Sequence, residues 1–369
     1  MKQIIAALIL LLLSSCAMHN ENRSERFLSL EGEKLETDPE MSLLEIVYAN
    51  DSLLVATLIS PDCQLAAIPI GGGTEIRQFL HKGRGPMEVV YSKVKSYNDS
   101  LFVLSHDAYG INGLIKIPVS GIQDMTEWEY IDFSDIDNLG IGNDFDLLTS
   151  SDYIVLGGEY GRESILARLS ERNLTWSSVP FWPDDGYKGE ALPKQMLYTR
   201  NSKVFSNGDK IFYASGEGRY FSILNISEDP VSESFIYDEY PSYSVGPDGL
   251  NPKRAPESKL GGIACATDSA IYIGLLNCLL SPAGYYVPDN YKGYPPYYID
   301  VIEVYGWNGE YLCTYTLDTP FATFFVSGRY LYTVTVDRDT MLSEIYRYDL
   351  PQEAWPIDQE AWPIDHIDG

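Results

Sequence analysis

Histidine and basic residues are scarce in this sequence. Its 369 residues include only four histidines and 26 lysines and arginines, against 53 aspartates and glutamates, so the formal net charge is −27. A chain with this charge repels phosphate backbones, which excludes general nucleic-acid binding. His19 and His366 lie near the two ends of the chain, so we expect no multi-histidine metal site between them.

Catalytic motifs and cysteine frameworks are also lacking. The chain contains no HExxH, GxSxG, P-loop or paired CxxC motif, which favours a protein without catalytic activity. Beyond Cys16, the remaining cysteines are Cys63, Cys265, Cys278 and Cys313. Their spacing fits no zinc or redox motif, and they are too few for a disulfide scaffold in a chain of this length. We expect buried free thiols, with a Cys278–Cys313 disulfide as the alternative.

No apolar run is long enough for a transmembrane helix, which needs about 18 residues. The run Ile4 to Leu13 would rise only about 15 Å as a helix, and it has the position of a signal-peptide hydrophobic region. The segment Leu13-Ser14-Ser15-Cys16 resembles a bacterial lipobox. This pattern predicts a signal peptide over residues 1–15 and lipidation of Cys16, with ordinary cleavage near Ser15 as the alternative.

The residues after the lipobox predict where the protein resides. Residues 16–26 are polar and predict a flexible leader. Some bacteria retain lipoproteins at the inner membrane through an Asp after the cysteine, but this chain has Ala17. We therefore expect a monomer in the cell envelope, anchored by lipid to the outer membrane. Each buried acyl CH₂ contributes about 0.8 kcal/mol, so two or three chains would hold it firmly.

Tyrosine, glycine and proline are abundant, and they accompany a hairpin pattern that recurs six times. Each unit has a turn of Asp, Asn or Gly followed by aliphatic and aromatic residues, as in Asn98-Asp99-Ser-Leu-Phe-Val-Leu. The turns are marked by Asp51, Asp99, Asp152, Asp209, Asp268 and Gly328, at intervals of 48 to 60 residues. Four short strands in each interval predict an all-β fold, a six-bladed β-propeller. A two-domain β-sandwich is the alternative, but it gives no reason for a shared hairpin pattern.

The propeller is predicted to cover residues 27–350, and its last unit shows only three strands. We expect Phe27 to Leu30 to supply the missing strand, so that an N-terminal strand joins the last blade and closes the ring. Residues 351–369 predict a mobile tail. It contains a tandem heptad, residues 352–358 repeated as 359–365, for which a docking peptide is the alternative interpretation.

The lipobox, the six units and one local motif resemble the TolB-like six-bladed propeller lipoproteins of bacteria, a largely uncharacterised family. The local motif is Gly83-Arg84-Gly85-Pro86-Met87-Glu88-Val89. Relatives often have Gly-x-Gly-Pro-Gly-Glu-Phe there, so this chain has Met87 at a Gly position and Val89 at a Phe position. The resemblance implies the fold and the envelope location, and it implies no reaction.

Long connections are predicted on one face of the propeller. Loops between blades and loops between the two middle strands share a face, and residues 81–90, 184–200, 241–260 and 281–298 fall there. These segments hold nine basic and seven acidic residues, a net charge of +2, and they are the predicted recognition surface. The candidate ligand-binding residues are Lys82, Arg84, Tyr285, Tyr286, Tyr291 and Tyr294. Packing of these loops against their own blades is the alternative.

A group of aspartates is the only candidate metal site. Asp135, Asp137, Asp144 and Asp146 lie close in sequence and could bind calcium, although a solvated acidic loop is the favoured explanation of this cluster. We expect no other cofactor. The sequence therefore favours a non-catalytic module that presents its long-loop face to an envelope protein, peptide or glycan. The alternative function is a calcium-dependent hydrolase or lyase acting in the propeller channel.

Overall fold

The computed structural model describes residues 26–36, 41–71, 76–85, 87–107, 110–136, 139–140, 142–158, 161–255, 258–276, 279–281, 284–286, 298–336 and 342–351. They form six sheets whose first strands line a common central channel, and neighbouring sheets pack face to face. The prediction of an all-β, six-bladed β-propeller is confirmed.

Blades 1 to 4 are antiparallel sheets in which four strands follow one another from the channel to the rim. Blade 1 consists of Leu43–Ala49, Leu53–Leu58, Cys63–Pro69 and Arg77–His81. Blade 2 consists of Tyr91–Tyr97, Ser100–His106, Ile111–Pro118 and Glu129–Asp132. Blade 3 consists of Asp144–Leu147, Asp152–Leu156, Leu166–Ser170 and Thr175–Val179. Blade 4 consists of Lys203–Asn207, Lys210–Ala214, Tyr220–Asn225 and Ser232–Asp238.

The last two blades are completed by the N-terminal segment. Blade 5 consists of Gly262–Ala266, Ile271–Leu275, Ile299–Tyr305, Tyr311–Phe321 and, as a fifth strand, Phe27–Leu30. Blade 6 consists of Thr323–Ser327, Tyr330–Val336, Ser343–Asp349 and Glu33–Lys34. An N-terminal strand therefore closes the ring on the last blade, as predicted.

The prediction that Phe27–Leu30 is this closing strand is wrong. Phe27–Leu30 pairs in parallel with Tyr311–Phe321 of blade 5, and Glu33–Lys34 pairs antiparallel with the third strand of blade 6. Leu30 pairs with Leu317 of blade 5 and is buried in an apolar cluster that also contains Leu331 of blade 6, so this strand packs at the junction of the two blades. The chain then crosses to blade 6 before it enters blade 1.

The apolar core lies between adjacent blades. Val55 and Leu65 of blade 1, for example, share one buried cluster with Val103 and Ile115 of blade 2. A middle strand is covered on both faces by its neighbouring blades, so its side chains are apolar on both sides. This explains why residues 101–104 are all buried and apolar. A strand with one exposed face would alternate apolar and polar residues.

The six repeated turns all connect a first strand to a second strand, so they lie on one face of the ring. We call it the short-turn face, and the opposite face the long-loop face. Asn98 and Asp99 have φ angles of 45° and 53°, and Gly328 has a φ of 53°. Such left-handed backbone suits tight hairpin turns and favours Asn, Asp and Gly, which is why these residues mark the repeat.

The long-loop face carries the other secondary structure. An α-helix, Ala191–Thr199, lies between blades 3 and 4, and a hairpin of Tyr243–Val245 with Pro252–Arg254 lies between blades 4 and 5. A second hairpin, Leu279–Ser281 with Gly284–Tyr286, lies between the middle strands of blade 5. The exception is a pair of short 3₁₀ helices, Val119–Gly121 and Met125–Glu127, which connect the third and fourth strands of blade 2 and therefore lie on the short-turn face.

Three of the four cysteines of the propeller can be assessed. Cys63, Cys265 and Cys313 are buried and free, as predicted, and Cys278 lies outside the described residues. The predicted signal peptide, Cys16, most of the predicted leader and the tandem heptad lie outside them as well. Within the ranges given above, no helix has the length and apolar character to cross a membrane.

Candidate ligand-binding surfaces

The channel at the centre of the ring contains charged side chains from several blades. Lys203 of blade 4 contacts the carboxylate of Glu45 of blade 1, with its Nζ 2.8 and 3.0 Å from the two oxygens. Lys95 of blade 2 lies 3.2 Å from Asp144 of blade 3 and donates to the Val204 carbonyl at 3.0 Å. Ion pairs from four blades therefore occupy the channel.

Asp144 and Asp146, both proposed as metal ligands, lie on the first strand of blade 3. The Val204 N–H donates to Asp144 at 2.9 Å, and the Ser206 N–H donates to Asp146 at 2.7 Å. Burial alone would raise the pKa of Asp144, but Lys95, Lys203 and the Val204 N–H hold it below its usual value. Burial raises the pKa of Asp146 above its usual value. The two carboxyls are thus held in different electrostatic environments.

The candidate calcium ligands that the structure describes have different surroundings. Calcium needs six to eight oxygen ligands, whereas Asp144 is committed to an ammonium group and a backbone N–H. Asp135 is exposed in the connection between blades 2 and 3, and Asp137 lies outside the described residues. In the part of the chain that the structure describes, no three His, Cys, Asp or Glu side chains converge on one point. Calcium binding by this group of aspartates therefore stays a prediction.

The long connections share one face, as predicted, and two of them pack on each other. The helix Ala191–Thr199 contacts the strand Pro252–Arg254. Between them, Lys194 lies 2.8 Å from Asp185, with both side chains only 3% exposed. The hydroxyls of Tyr198 and Tyr243 donate to the same carboxylate at 3.1 and 3.0 Å. This network fixes the loops against each other.

Part of the predicted positive charge is paired with acidic side chains of the protein itself. Lys194 is buried with Asp185, Arg254 lies 3.4 Å from Glu217, and Lys259 lies 3.0 Å from Glu239. These three basic side chains therefore already have an acidic partner within the protein. The exposed basic side chains that remain on this face are Arg84, Lys188, Arg200 and Lys253, together with Lys82 as described below.

Lys82 and Arg84, both proposed as ligand-binding residues, are exposed on the long-loop face. Lys82 donates to the Ser60 carbonyl at 2.6 Å, which ties the loop between blades 1 and 2 to the middle loop of blade 1. Arg84 makes no hydrogen bond or ion pair with any other residue that the structure describes. Its guanidinium is therefore available to a partner.

Three apolar residues at the same end of blades 1 and 2 are unusually exposed. Leu44, Ile59 and Tyr91 expose 51%, 65% and 58% of their surface. The Ile59 N–H donates to Ser42, two residues from Leu44, and Tyr91 stacks on His106 with ring centroids 5.6 Å apart. We define the blade 1–2 patch as Leu44, Ile59, Lys82, Arg84 and Tyr91. Sequence reasoning missed its apolar members, because apolar residues at strand ends resemble core residues.

The glycine-rich motif forms a turn between blades 1 and 2. The Gly85 N–H donates to the Glu88 carboxylate at 2.7 Å, and a Cβ at Gly83 would lie 2.0 Å from that carboxylate. The space left by the glycines is thus filled by Glu88, which favours the structural interpretation of this turn. Met87 has a φ of 60°, a left-handed conformation that explains why relatives often have Gly at this position.

The predicted tyrosines of residues 281–298 are only partly covered. Tyr285 and Tyr286 belong to the strand Gly284–Tyr286, whose backbone alone is described. Tyr291 and Tyr294 lie outside the described residues. Their role in binding stays a prediction.

The chain is similar in fold to solved structures from Bacteroides. A member of the DUF4221 family from Bacteroides vulgatus has 12% identity and a TM-score of 0.52, over 86% of this chain and 97% of that chain. A protein of unknown function from Bacteroides thetaiotaomicron has 10% identity and a TM-score of 0.45, over 86% of this chain and 72% of that chain. An auxiliary nutrient binding protein from Bacteroides ovatus has 10% identity and a TM-score of 0.43, over 84% of this chain and 70% of that chain.

These similarities define a class of architecture and no family. At 12% identity, the DUF4221 structure supports the propeller fold alone, and the two lower TM-scores carry no argument. No family profile and no curated protein matches the chain. The resemblance to TolB-like lipoproteins therefore stays a prediction beyond the fold itself.

Proposed function

We propose that this protein is a non-catalytic binding module of the bacterial cell envelope, lipid-anchored through Cys16, whose blade 1–2 patch binds a partner protein or peptide. The observation that carries this proposal is the patch itself. Its three apolar side chains are each more than half exposed, and two basic side chains lie on the same face. Grouped exposed apolar residues beside charge are typical of interaction surfaces.

The patch favours a partner with an acidic group beside an apolar anchor. The whole chain has a net charge of −27, yet Lys82 and Arg84 make this region locally basic. An unpaired guanidinium binds a carboxylate through two parallel hydrogen bonds. The Tyr91 side chain offers an aromatic surface. It has few rotatable bonds, so it loses little conformational entropy when a partner binds. The role predicted for Tyr285, Tyr286, Tyr291 and Tyr294 in binding a sugar or a peptide stays a separate prediction.

The patch is held in a fixed arrangement before any partner binds. Lys82 is tied to Ser60, and Glu88 holds the backbone at Gly85, so the loop that carries Arg84 is fixed on both sides. Tyr91 lies on a paired strand and stacks on His106. A preformed surface loses less entropy on binding, which supports recognition. The channel geometry, in contrast, lends no support to a calcium-dependent hydrolase or lyase.

A displayed library of random peptides would test the proposal with the purified full chain. We expect selected peptides to combine an acidic residue with an apolar one, and Arg84→Ala and Tyr91→Ala each to weaken their binding about tenfold. Tyr97→Ala is the matched control, because Tyr97 lies at the other end of the same strand and is also exposed. Binding that survives both patch substitutions, or no selected peptide at all, would contradict the proposal.

A further inference from the structure

A cavity of about 660 Å³ opens on the short-turn face, at the other end of the ring from the blade 1–2 patch. It lies where the first hairpin turns of blades 6, 1 and 2 meet. Its volume falls within the range of about 300–1,000 Å³ that is typical of small-molecule sites. The lining residues that carry the argument are Tyr48, Asp51, Tyr97, Asn98, Arg329 and Tyr330.

Hydrogen bonds between blades hold the walls of this cavity in place. The Ser327 hydroxyl of blade 6 donates to the Ala49 carbonyl of blade 1 at 2.7 Å. The Tyr48 hydroxyl of blade 1 donates to the Asp99 carboxylate of blade 2. The three turns are therefore linked from one blade to the next, and the cavity is formed without a ligand.

Several polar groups on the wall are available for a ligand. The side chains of Asp51, Tyr97 and Asn98 make no hydrogen bond to another residue within the described ranges. Tyr97 exposes 45% of its surface. The Asp51 carboxylate can accept hydrogen bonds. The Asn98 amide and the Tyr97 phenol can both donate and accept them. The open aromatic ring beside them offers an apolar contact.

The charges on the wall select the class of ligand. The guanidinium groups of Arg329 and Arg347 each lie 4.8 Å from the centre of the Tyr330 ring. This ring therefore already contacts two cationic side chains of the protein. Asp51, Asp99 and Arg329 all line the cavity, so charges of both signs are present and neither an anion nor a cation is favoured as the ligand. A neutral ligand with many hydroxyl groups and an apolar ring face satisfies both conditions.

We propose that this cavity binds a short neutral oligosaccharide. One sugar ring would pack against the Tyr97 ring, and the hydroxyls of that sugar would form hydrogen bonds with Asp51 and Asn98. The proposal goes beyond the peptide-binding function, because it places a different ligand on the opposite face. The aromatic residue excludes water from the sugar ring, and the unpaired polar side chains fix the orientation of its hydroxyls.

Isothermal titration of the full chain with maltotriose, cellotriose, xylotriose and N,N′,N″-triacetylchitotriose would test it. We expect at least one trisaccharide to bind, and Tyr97→Ala to weaken that binding about tenfold. Tyr91→Ala, at the other end of the same strand, should leave it unchanged. Asp51→Asn is a second variant at an exposed position, and it should weaken binding while the melting temperature stays the same.

Each result of this experiment either supports the carbohydrate proposal or contradicts it. Binding of none of the four sugars would overturn the proposal, as would binding that Tyr97→Ala and Asp51→Asn both leave intact. Binding of choline in place of the sugars would show a cation site and would overturn it too. Because the peptide test depends on Arg84 and Tyr91, and this test on Asp51 and Tyr97, failure of one proposal is distinguishable from failure of the other.

Discussion

Lys203 of blade 4 binds Glu45 of blade 1 across the propeller channel, with its Nζ 2.8 Å from the nearer carboxylate oxygen. Blades 1 and 4 stand opposite each other in a ring of six, so the pair joins the two halves of the ring at its centre. Burial alone would lower the pKa of Lys203, but Glu45 and Asp144 raise it above its usual value. The lysine therefore stays charged throughout the neutral range.

Removing this lysine should weaken the fold. We expect Lys203→Met to lower the free energy of unfolding by about 1–3 kcal/mol, because Glu45 and Asp144 lose a charged partner. Glu45→Gln should have a smaller effect, and the double variant should lose less than the sum of the two. Denaturant titration measures all three. Lys253→Met, at an exposed position, is the control and should change stability by less than about 0.5 kcal/mol; an equal loss there would contradict the prediction.

The two channel aspartates should respond oppositely to neutralisation. Asp144→Asn leaves the ammonium of Lys95 without its carboxylate, and we expect a loss of about 3 kcal/mol at neutral pH. Asp146→Asn keeps an oxygen that accepts from the Ser206 N–H and removes a charge that burial disfavours. It should leave the free energy of unfolding unchanged or raise it. Equal losses in both variants would contradict this assignment.

The pH dependence of stability follows from the same two carboxyls. The pKa of Asp144 is lowered by folding, so its contribution is present above the unfolded value of about 3.9 and is lost as the pH falls through the folded value. The pKa of Asp146 is raised, so its contribution is present at low pH and is lost as the pH rises through the folded value. Melting temperatures should therefore fall less steeply below pH 4 in Asp144→Asn than in the wild type.

The sequence repeat predicted the fold because each repeated segment forms a hairpin from residues that are close in the chain. A turn rich in Asp, Asn and Gly between apolar segments forms a hairpin wherever it occurs, and six hairpins of even spacing leave few architectures. The partner of Phe27–Leu30 was less predictable. Its four residues fit either the edge of blade 5 or that of blade 6, and Leu30 is buried in an apolar cluster formed by both blades, so the sequence alone does not distinguish the two edges.

The sites were harder to predict, because they depend on residues far apart in the chain. Asp144 was identified by residue type, but its partner Lys95 comes from another blade. The cavity on the short-turn face lies between turns near residues 50, 98 and 329. Loop length, in contrast, predicted a recognition surface on the long-loop face. A signal existed, since Tyr48, Tyr97 and Tyr330 each stand within three residues of a marked turn.

The Gly83 turn allows a direct test of its structural role. Gly83→Ala would place a methyl group against the Glu88 carboxylate and displace it from the Gly85 N–H. We expect a loss of about 1 kcal/mol, the contribution of one hydrogen bond. Glu88→Ala should lose a similar amount, and adding Gly83→Ala to it should cost almost nothing further. Additive losses in the double variant would show that Gly83 is required for another reason.

Lipid anchoring can be tested at one residue. Cys16→Ser removes the only sulfur that the lipobox offers, so we expect the variant to incorporate no labelled fatty acid and to leave the membrane fraction. Cys63→Ser is the control, because Cys63 is buried in blade 1 and should not affect labelling. Labelling that persists in Cys16→Ser would refute the lipobox interpretation.

Closure of the ring by the N-terminal segment makes a final prediction. Leu30 is 7% exposed and packs into blade 5, whereas Phe27, on the same strand, is 60% exposed. We expect Leu30→Ala to lower the free energy of unfolding by about 2–4 kcal/mol, since a cavity opens beside Leu317. Phe27→Ala should change it by less than about 0.5 kcal/mol. Thermal and denaturant unfolding of the two variants would distinguish them. Equal, small effects would mean that Phe27–Leu30 does not dock on blade 5, and that Glu33–Lys34 alone closes the ring.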